Sequence, residues 1–206
     1  MNSAGKINLT PESWIDVFEI PSLPTAEEFE ELWNLHPKNK GVIKIMGKEI
    51  STPRWQQSFM RPYRFSGMDH PAKPLPKILQ PYLEYANEYF KKHFDGRQCN
   101  GCLLNWYEDG SMYIGPHSDD ESALAKGPQG ETIVWSLTLQ EGDRNRIFRL
   151  KPKAGGKDRL DIEAKNGLVI VMGGRCQQTH KHQVPKVSGK KAALYGRRIN
   201  ITFRVF

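Results

Sequence analysis

From Gly101 to the C-terminus the chain is a succession of short β-prone runs broken by turn dipeptides, and this pattern restricts the fold more than any other feature of the sequence. The runs are Leu103 to Tyr107, Thr132 to Leu139, Arg146 to Leu150, Leu168 to Met172 and Arg198 to Phe206. Between them lie Asp109-Gly110, Glu141-Gly142, Gly155-Gly156 and Asn166-Gly167, residue types that adopt positive φ or close local hydrogen bonds in tight turns. Many short strands with frequent turns predict a β-sandwich or jelly roll.

The N-terminal part reads differently. Residues 1–24 show no clean period and are expected to be irregular, docked through Trp14, Val17, Phe18 and Ile20. Thr25-Ala-Glu-Glu28 has capping-box spacing, which predicts a helix from Ala26 with Phe29, Leu32, Trp33 and Leu35 on its apolar face, ended by Pro37. Val42, Ile43 and Ile45 predict a short strand turning at Gly47-Lys48 into Glu49-Ile50. The segment Pro53 to Leu75 reads as an ordered loop or lid. Leu79, Leu83, Ala86 and Phe90 recur at helical spacing, with Pro81 in the first turn and Gly96 past the end. The expected fold class is α+β, with N-terminal helices bracing one sheet of a β core.

A chain of 206 residues suits one domain with a proper core, divided here into a 1–75 extension and lid and a 76–206 helix plus β core. No apolar run reaches the roughly 18 residues of a membrane helix, and the first residues lack the apolar centre of a secretory signal. The expectation is an intracellular protein, nuclear or cytoplasmic, with no membrane partner, acting as a monomer. Cys99, Cys102 and Cys176 are read as buried reduced thiols, because one C-x-x-C pair without a second does not complete a zinc site. A formal net charge of +7 favours a polyanionic partner, since neutralising phosphates releases condensed counterions.

Two segments carry chemistry. In Pro116-His117-Ser118-Asp119, residues two apart on an extended strand share a face, so an imidazole and a carboxylate can hold one metal ion. His182 is the best third ligand, completing the two-histidine, one-carboxylate set of non-haem iron(II) oxygenases. Arg198-Ile-Asn200-Ile-Thr202-Phe-Arg204 alternates polar and apolar residues. Turned inward, its two guanidiniums call for a dicarboxylate; turned outward, they make a solvated basic face or a phosphate groove.

Taken together, His117-x-Asp119, His182 before Val184-Pro185 and the Arg198-x-Asn200-x-Thr202-x-Arg204 strand resemble the AlkB family of iron(II)- and 2-oxoglutarate-dependent dioxygenases. Asn105-Trp-Tyr107, Asp109-Gly110, Asp119-Asp120-Glu121, Pro53-Arg54 and Tyr63-Arg-Phe65-Ser66-Gly67 are similar to the branch of nuclear DNA-repair homologues. The resemblance covers roughly residues 53 to 206 and implies a double-stranded β-helix (jelly roll). It implies iron(II) on His117, Asp119 and His182, with 2-oxoglutarate as cosubstrate, oxygen as oxidant and ascorbate as a reductant in vitro. The distal carboxylate of 2-oxoglutarate would meet Arg198 or Arg204, and Asn105, Tyr107, Asn200 and Thr202 would complete that pocket. Tyr63 and Phe65 would sandwich a flipped base against His117, while Asp120 and Glu121 read its exocyclic groups or hold Arg54.

The implied activity is oxidative demethylation of bases such as 1-methyladenine and 3-methylcytosine in DNA, possible also in RNA, releasing formaldehyde and succinate. The rival readings are a methyl-RNA eraser, a 2-oxoglutarate dioxygenase for a substrate other than nucleic acid, and a binding module without turnover. His180 is expected to orient His182. Ile45-Met46-Gly47-Lys48 occupies the place of a duplex-invading finger, and Lys186, Lys190, Lys191 and Arg197 either line a phosphate path or solvate a loop.

Overall fold

The computed structural model describes residues 3–65, 68–120 and 122–206, except for the side chains of residues 3, 4, 44, 45, 63–65 and 68–70. The strands in chain order are β1 (Ser3–Thr10), β2 (Ser13–Glu19), β3 (Val42–Ile45), β4 (Lys48–Ser51), β5 (Trp55–Phe59), β6 (Tyr63–Phe65), β7 (Met68–His70) and β8 (Ala72–Lys73). They continue with β9 (Gly101–Tyr107), β10 (Ile114–His117), β11 (Val134–Gln140), β12 (Arg146–Pro152), β13 (Leu160–Ala164), β14 (Leu168–Gly174), β15 (His180–Val184) and β16 (Arg198–Arg204). The helices are α1 (Ala26–Trp33), α2 (Gln80–His93) and the single-turn α3 (Cys176–Thr179).

Two sheets form the jelly roll. An eight-stranded sheet runs β1-β2-β14-β11-β16-β9-β5-β8, and a four-stranded sheet runs β10-β15-β12-β13. The alternation in β16 explains its central place. Ile199, Ile201 and Phe203 enter an apolar cluster with Leu104 and Trp106 of β9, Trp135 and Leu137 of β11, and Leu32, Leu83 and Phe90 of the helices. Period 2 turns Arg198, Asn200, Thr202 and Arg204 to the opposite face, toward the second sheet. A second apolar cluster joins Ile15, Val17, Val134, Ile170 and Met172 of the large sheet to Phe148 and Leu150 of the small one. Each such buried side chain contributes about 1.5–3 kcal/mol relative to exposure.

The helices brace the outer face of the large sheet, as expected. Thr25 caps α1 through a complete capping box: its hydroxyl accepts from the Glu28 amide at 3.2 Å, and the Glu28 carboxylate accepts from the Thr25 amide at 2.8 Å. Such a cap contributes about 1 kcal/mol. Arg197, at the entrance to β16, forms ion pairs with Glu30 of α1 and Glu141, tying the helix to the sheet. In α2, Leu83, Ala86 and Phe90 are buried, and Gly96 beyond its end adopts φ +70°.

Two expectations for the N-terminal part are corrected. Residues 3–19 are not irregular: β1 and β2 form an antiparallel hairpin, and β2 pairs with β14 from Leu168↔Glu19 to Gly174↔Ser13, whereas residues 20–24 are irregular as expected. Pro53 to Leu75 is not an element-free lid, because β5 pairs with β9 and β8 pairs with β5. The hairpin gains its strand character from the pairing of β2 with β14, a distant partner. The buried positions of β5 include Gln56 and Ser58, so polar inward residues erase the apolar alternation that marks a strand. The C-terminal strand also ends at Arg204, two residues before the chain does.

Candidate metal and cosubstrate site

The site lies between the two sheets. On the large sheet, pairing aligns rows of inward residues: Tyr107 opposite Arg198, Asn105 opposite Asn200, and Leu103 opposite Thr202 on β9 and β16. Thr138 and Ser136 of β11 extend the last two rows. On the small sheet, His117 of β10 is paired directly with His182 of β15, and the two rings lie 4.2 Å apart between centroids. Asp119 lies beyond the end of β10 on irregular backbone, so the expected shared strand face does not account for its meeting with His117. Instead, Gln177 of α3 accepts a 2.9 Å hydrogen bond from the Asp119 amide, and the Ser118 hydroxyl donates to the His180 carbonyl at 2.8 Å.

One ligand atom each from His117, Asp119 and His182 falls within a 4.8 Å set. His117 Nδ1 lies 2.9 Å from the Gly115 carbonyl. Only a protonated nitrogen donates to a carbonyl, which assigns the lone pair of the neutral ring to Nε2, 3.8 Å from Asp119 Oδ1. His182 Nε2 lies 4.0 Å from Asp119 Oδ2 and its ring stacks on Phe148 at 5.4 Å. Burial pushes the His182 imidazole down to about 3 and lowers His117 as well. Both rings are therefore neutral at physiological pH, the form that ligates a metal. Burial, the largest single effect, would raise the Asp119 carboxyl, but the Arg204 guanidinium at 2.8 Å together with the facing His182 and His117 rings holds it well below the usual range. Its Oδ1 has no hydrogen-bond partner among the described residues.

The cluster opens into a cleft whose wall includes Arg54, Asn105, Tyr107, Asn200, Thr202 and Arg204. Arg198 lies fully buried behind that wall. Its Nη2 donates to Thr138 Oγ1 and Asn200 Oδ1, both at 2.8 Å, and its guanidinium is 5.0 Å from the Tyr107 ring. Nε and Nη1 of Arg198 make no hydrogen bond of good geometry among the described residues, although the Tyr107 hydroxyl is near enough to favour the charged form. Burial lowers this group to about 10, so it is still cationic at neutral pH. An interior cation with two uncommitted donors fits an incoming carboxylate, and two neutral imidazoles with a carboxylate fit a divalent metal.

The other expected residues are placed as follows. Arg54 is buried, donating to Asn105 Oδ1 at 2.7 Å and Gln56 Oε1 at 3.1 Å. Asp120 is exposed and paired with Lys153 at 3.1 Å. Tyr63 and Phe65 belong to the β6–β7 hairpin, where they pair with His70 and Met68; their side chains, like Glu121, lie outside the described residues. His180 does not bear on His182 through its ring, whose Nδ1 is 2.7 Å from the Thr179 hydroxyl; its carbonyl serves Ser118 instead. All three cysteines are free and buried. Gln177 and Phe148 escape a reading of the sequence, because a lone glutamine and a lone aromatic carry no spacing that marks them.

The chain matches the 2OG-Fe(II) oxygenase superfamily over residues 29–204, and it belongs to that family. Among curated proteins it is similar to the DNA oxidative demethylase ALKBH2 of Mus musculus, at 29% identity over 79% of this chain and 65% of the relative. It is 26% identical to ALKBH2 of Arabidopsis thaliana over 82% of this chain and 58% of the relative. It is 30% identical to the alpha-ketoglutarate-dependent dioxygenase alkB homolog 3 of Rattus norvegicus over 53% of this chain and 36% of the relative. The chain thus spans less than two thirds of the length of these relatives. Among solved structures, OsALKBH1 superposes with a TM-score of 0.57 at 16% identity, covering 98% of this chain and 100% of that one. A 2OG-Fe(II) oxygenase family oxidoreductase from Burkholderia pseudomallei gives a TM-score of 0.54 at 15% identity, covering 91% and 84%. At those identities the likeness is one of fold.

Proposed function

We propose that this chain carries out iron(II)- and 2-oxoglutarate-dependent oxidative demethylation of N-alkylated bases in nucleic acid, with DNA favoured and RNA a further substrate. The observation that carries the reading is the His117, Asp119 and His182 cluster in a cleft walled by Tyr107 and Asn200, with the buried Arg198 guanidinium behind that wall, bonded to Asn200 and 5.0 Å from the Tyr107 ring. When bound, iron(II) and 2-oxoglutarate would supply, with molecular oxygen as the oxidant, the chemistry that removes an N-methyl group as formaldehyde and converts 2-oxoglutarate to succinate and carbon dioxide. His117 and His182 offer neutral nitrogens to the metal, and Asp119 offers Oδ1 while Arg204 holds Oδ2. That engagement of Arg204 favours Arg198 as the partner of the distal carboxylate. Asn105, Tyr107, Asn200 and Thr202 orient the rest of the cosubstrate, and Arg54 fixes the Asn105 amide.

The nucleic-acid part of the reading rests on the ALKBH2 and ALKBH3 relatives and on the net charge of +7. Arg54, Tyr63, Phe65, Asp120 and Glu121 are proposed to face the flipped base, whose cationic methylated forms suit aromatic faces and carboxylates. Met46, 98% exposed with φ +50° at the tip of the β3–β4 hairpin, is proposed to wedge into a duplex. A nuclear or cytoplasmic site of action follows from the same reading. Among the described residues no helix is long and apolar enough to cross a membrane.

The test is product mass analysis after incubation with iron(II), 2-oxoglutarate, oxygen and ascorbate. Substrates are single- and double-stranded DNA and RNA carrying 1-methyladenine or 3-methylcytosine, with His117→Ala as control. Loss of the methyl group in the wild type alone is expected. Consumption of 2-oxoglutarate without any change in the oligonucleotides would sink the nucleic-acid reading and leave the oxygenase.

A further inference from the structure

Arg146, the first residue of β12, is a second interior guanidinium that belongs to neither the metal cluster nor the cleft wall; it is only 2% exposed. Its Nη1 donates to the Asp109 carbonyl at 3.0 Å, and its Nη2 donates to the carbonyls of Met112 and Pro185, both at 2.8 Å. Asp109 and Met112 lie in the turn that leads into β10 and His117. Pro185 follows β15 and His182. One side chain therefore clamps the two segments that flank the metal-binding histidines. Backbone bonds stitch the same segments, from the Gly110 amide to the Ala192 carbonyl at 3.0 Å and from the Val187 amide to the Gly110 carbonyl at 2.8 Å.

A clip alone does not call for a charge. Burying a cation is costly, and an apolar residue of similar volume is often tolerated as well or better unless the charge is used. The surroundings of Arg146 point to its use. Its guanidinium lies 6.0 Å from the Tyr107 ring and 5.8 Å from the Tyr195 ring, and the Tyr107 ring is also 5.0 Å from Arg198. Arg146 is among the groups that depress the Arg198 guanidinium, after burial. Two buried cations near one aromatic ring repel each other, and an anion that binds Arg198 relieves that repulsion.

We propose that Arg146 is a positioning residue for the cosubstrate: it fixes Tyr107 and the β9–β10 turn, and its charge, added to that of Arg198, tightens binding of the distal carboxylate of 2-oxoglutarate. The inference rests on the reading above that the cleft takes 2-oxoglutarate. Its effect falls more on the cosubstrate than on the metal, because the Gly110–Ala192 and Val187–Gly110 backbone bonds still hold the metal-bearing segments when the side chain is replaced, whereas the charge beside Tyr107 and Arg198 is lost.

The test is calorimetric titration of 2-oxoglutarate into the Mn(II)-loaded protein, with the Mn(II) affinity measured separately, for the wild type, Arg146→Met, Arg146→Lys and Tyr195→Leu. Arg146→Met is expected to weaken 2-oxoglutarate binding about tenfold or more while Mn(II) affinity stays within about threefold, and Arg146→Lys should recover much of the loss. Equal weakening of both ligands, or 2-oxoglutarate binding within about threefold of wild type, would reduce Arg146 to a structural clip. A lack of recovery in Arg146→Lys would overturn the electrostatic role. If Arg146→Met does not fold, the half-buried Tyr195→Leu decides: selective weakening for 2-oxoglutarate supports the proposal, and wild-type binding overturns it. A wild type that binds Mn(II) but not 2-oxoglutarate would instead refute the proposed function, and this inference with it.

Discussion

Replacing Arg198 by methionine removes a guanidinium that is 1% exposed, makes two 2.8 Å bonds through Nη2, and keeps Nε and Nη1 uncommitted. If those two donors receive the distal carboxylate, the substitution loses two charge-assisted hydrogen bonds, each contributing about 1.5–3 kcal/mol. Taking the lower values gives about 3 kcal/mol, or roughly a 100-fold weaker Kd for 2-oxoglutarate. Stability should respond differently. The lost bonds to Thr138 and Asn200 cost about 1–2 kcal/mol. Exchanging a poorly compensated buried cation for an apolar side chain returns about 1–4 kcal/mol. The ligand-free Tm should therefore stay within roughly 4 °C of wild type or rise, at about 2–4 °C per kcal/mol for a chain of this size. Calorimetry with 2-oxoglutarate and a ligand-free thermal melt measure the two quantities. Unchanged 2-oxoglutarate affinity together with a Tm drop of about 8 °C or more would refute the reasoning and make Arg198 a structural cation.

Metal-free protein should lose stability as pH falls from about 6.5 toward the His182 value of about 3, because the unfolded chain takes up protons that the buried rings refuse. The slope is up to about 1.4 kcal/mol per pH unit for each histidine, and equal stabilities in urea at pH 7 and pH 5 would rule out buried neutral rings. Phe148→Ala should cost about 3–5 kcal/mol by leaving a cavity, and should also weaken Mn(II) binding by freeing the stacked His182 ring. Wild-type metal affinity in a folded variant would show that Phe148 does not orient that ligand. Met46→Ala should lower repair of duplex more than of single-stranded substrate without altering Tm, since the side chain is exposed; equal repair of both in the variant and the wild type would dispose of the wedge.

Much of the fold was legible from residues 101 onward because most of its strands are β-prone runs punctuated by glycine turns, although β13 was not among the runs expected. The helices were legible too, from the Thr25 capping box and the Leu79 to Phe90 spacing. The β1–β2 hairpin and β5 were not, since their strand character depends on neighbours: β2 gains its place by pairing with β14, and the buried side of β5 is partly polar. Apolar alternation marks residues that face a core, and the inside of this jelly roll is partly a polar cleft.

For the candidate site, the sequence by itself determined the residue types, two histidines and an aspartate, and the alternation that sends Arg198, Asn200, Thr202 and Arg204 to one face, because side-chain direction along a strand is a local property. It left open whether that face is interior or solvated, and which arginine pairs with Asp119. Only the tertiary structure decided those points. It stacked the small sheet over that face, set Arg204 at 2.8 Å from Asp119, buried Arg198 with two uncommitted donors, and supplied Gln177, Phe148 and Arg146 from distant positions. The physical reason is that burial, ion pairing and pKa depend on what lies opposite in space, which the identity and spacing of residues along one strand do not record.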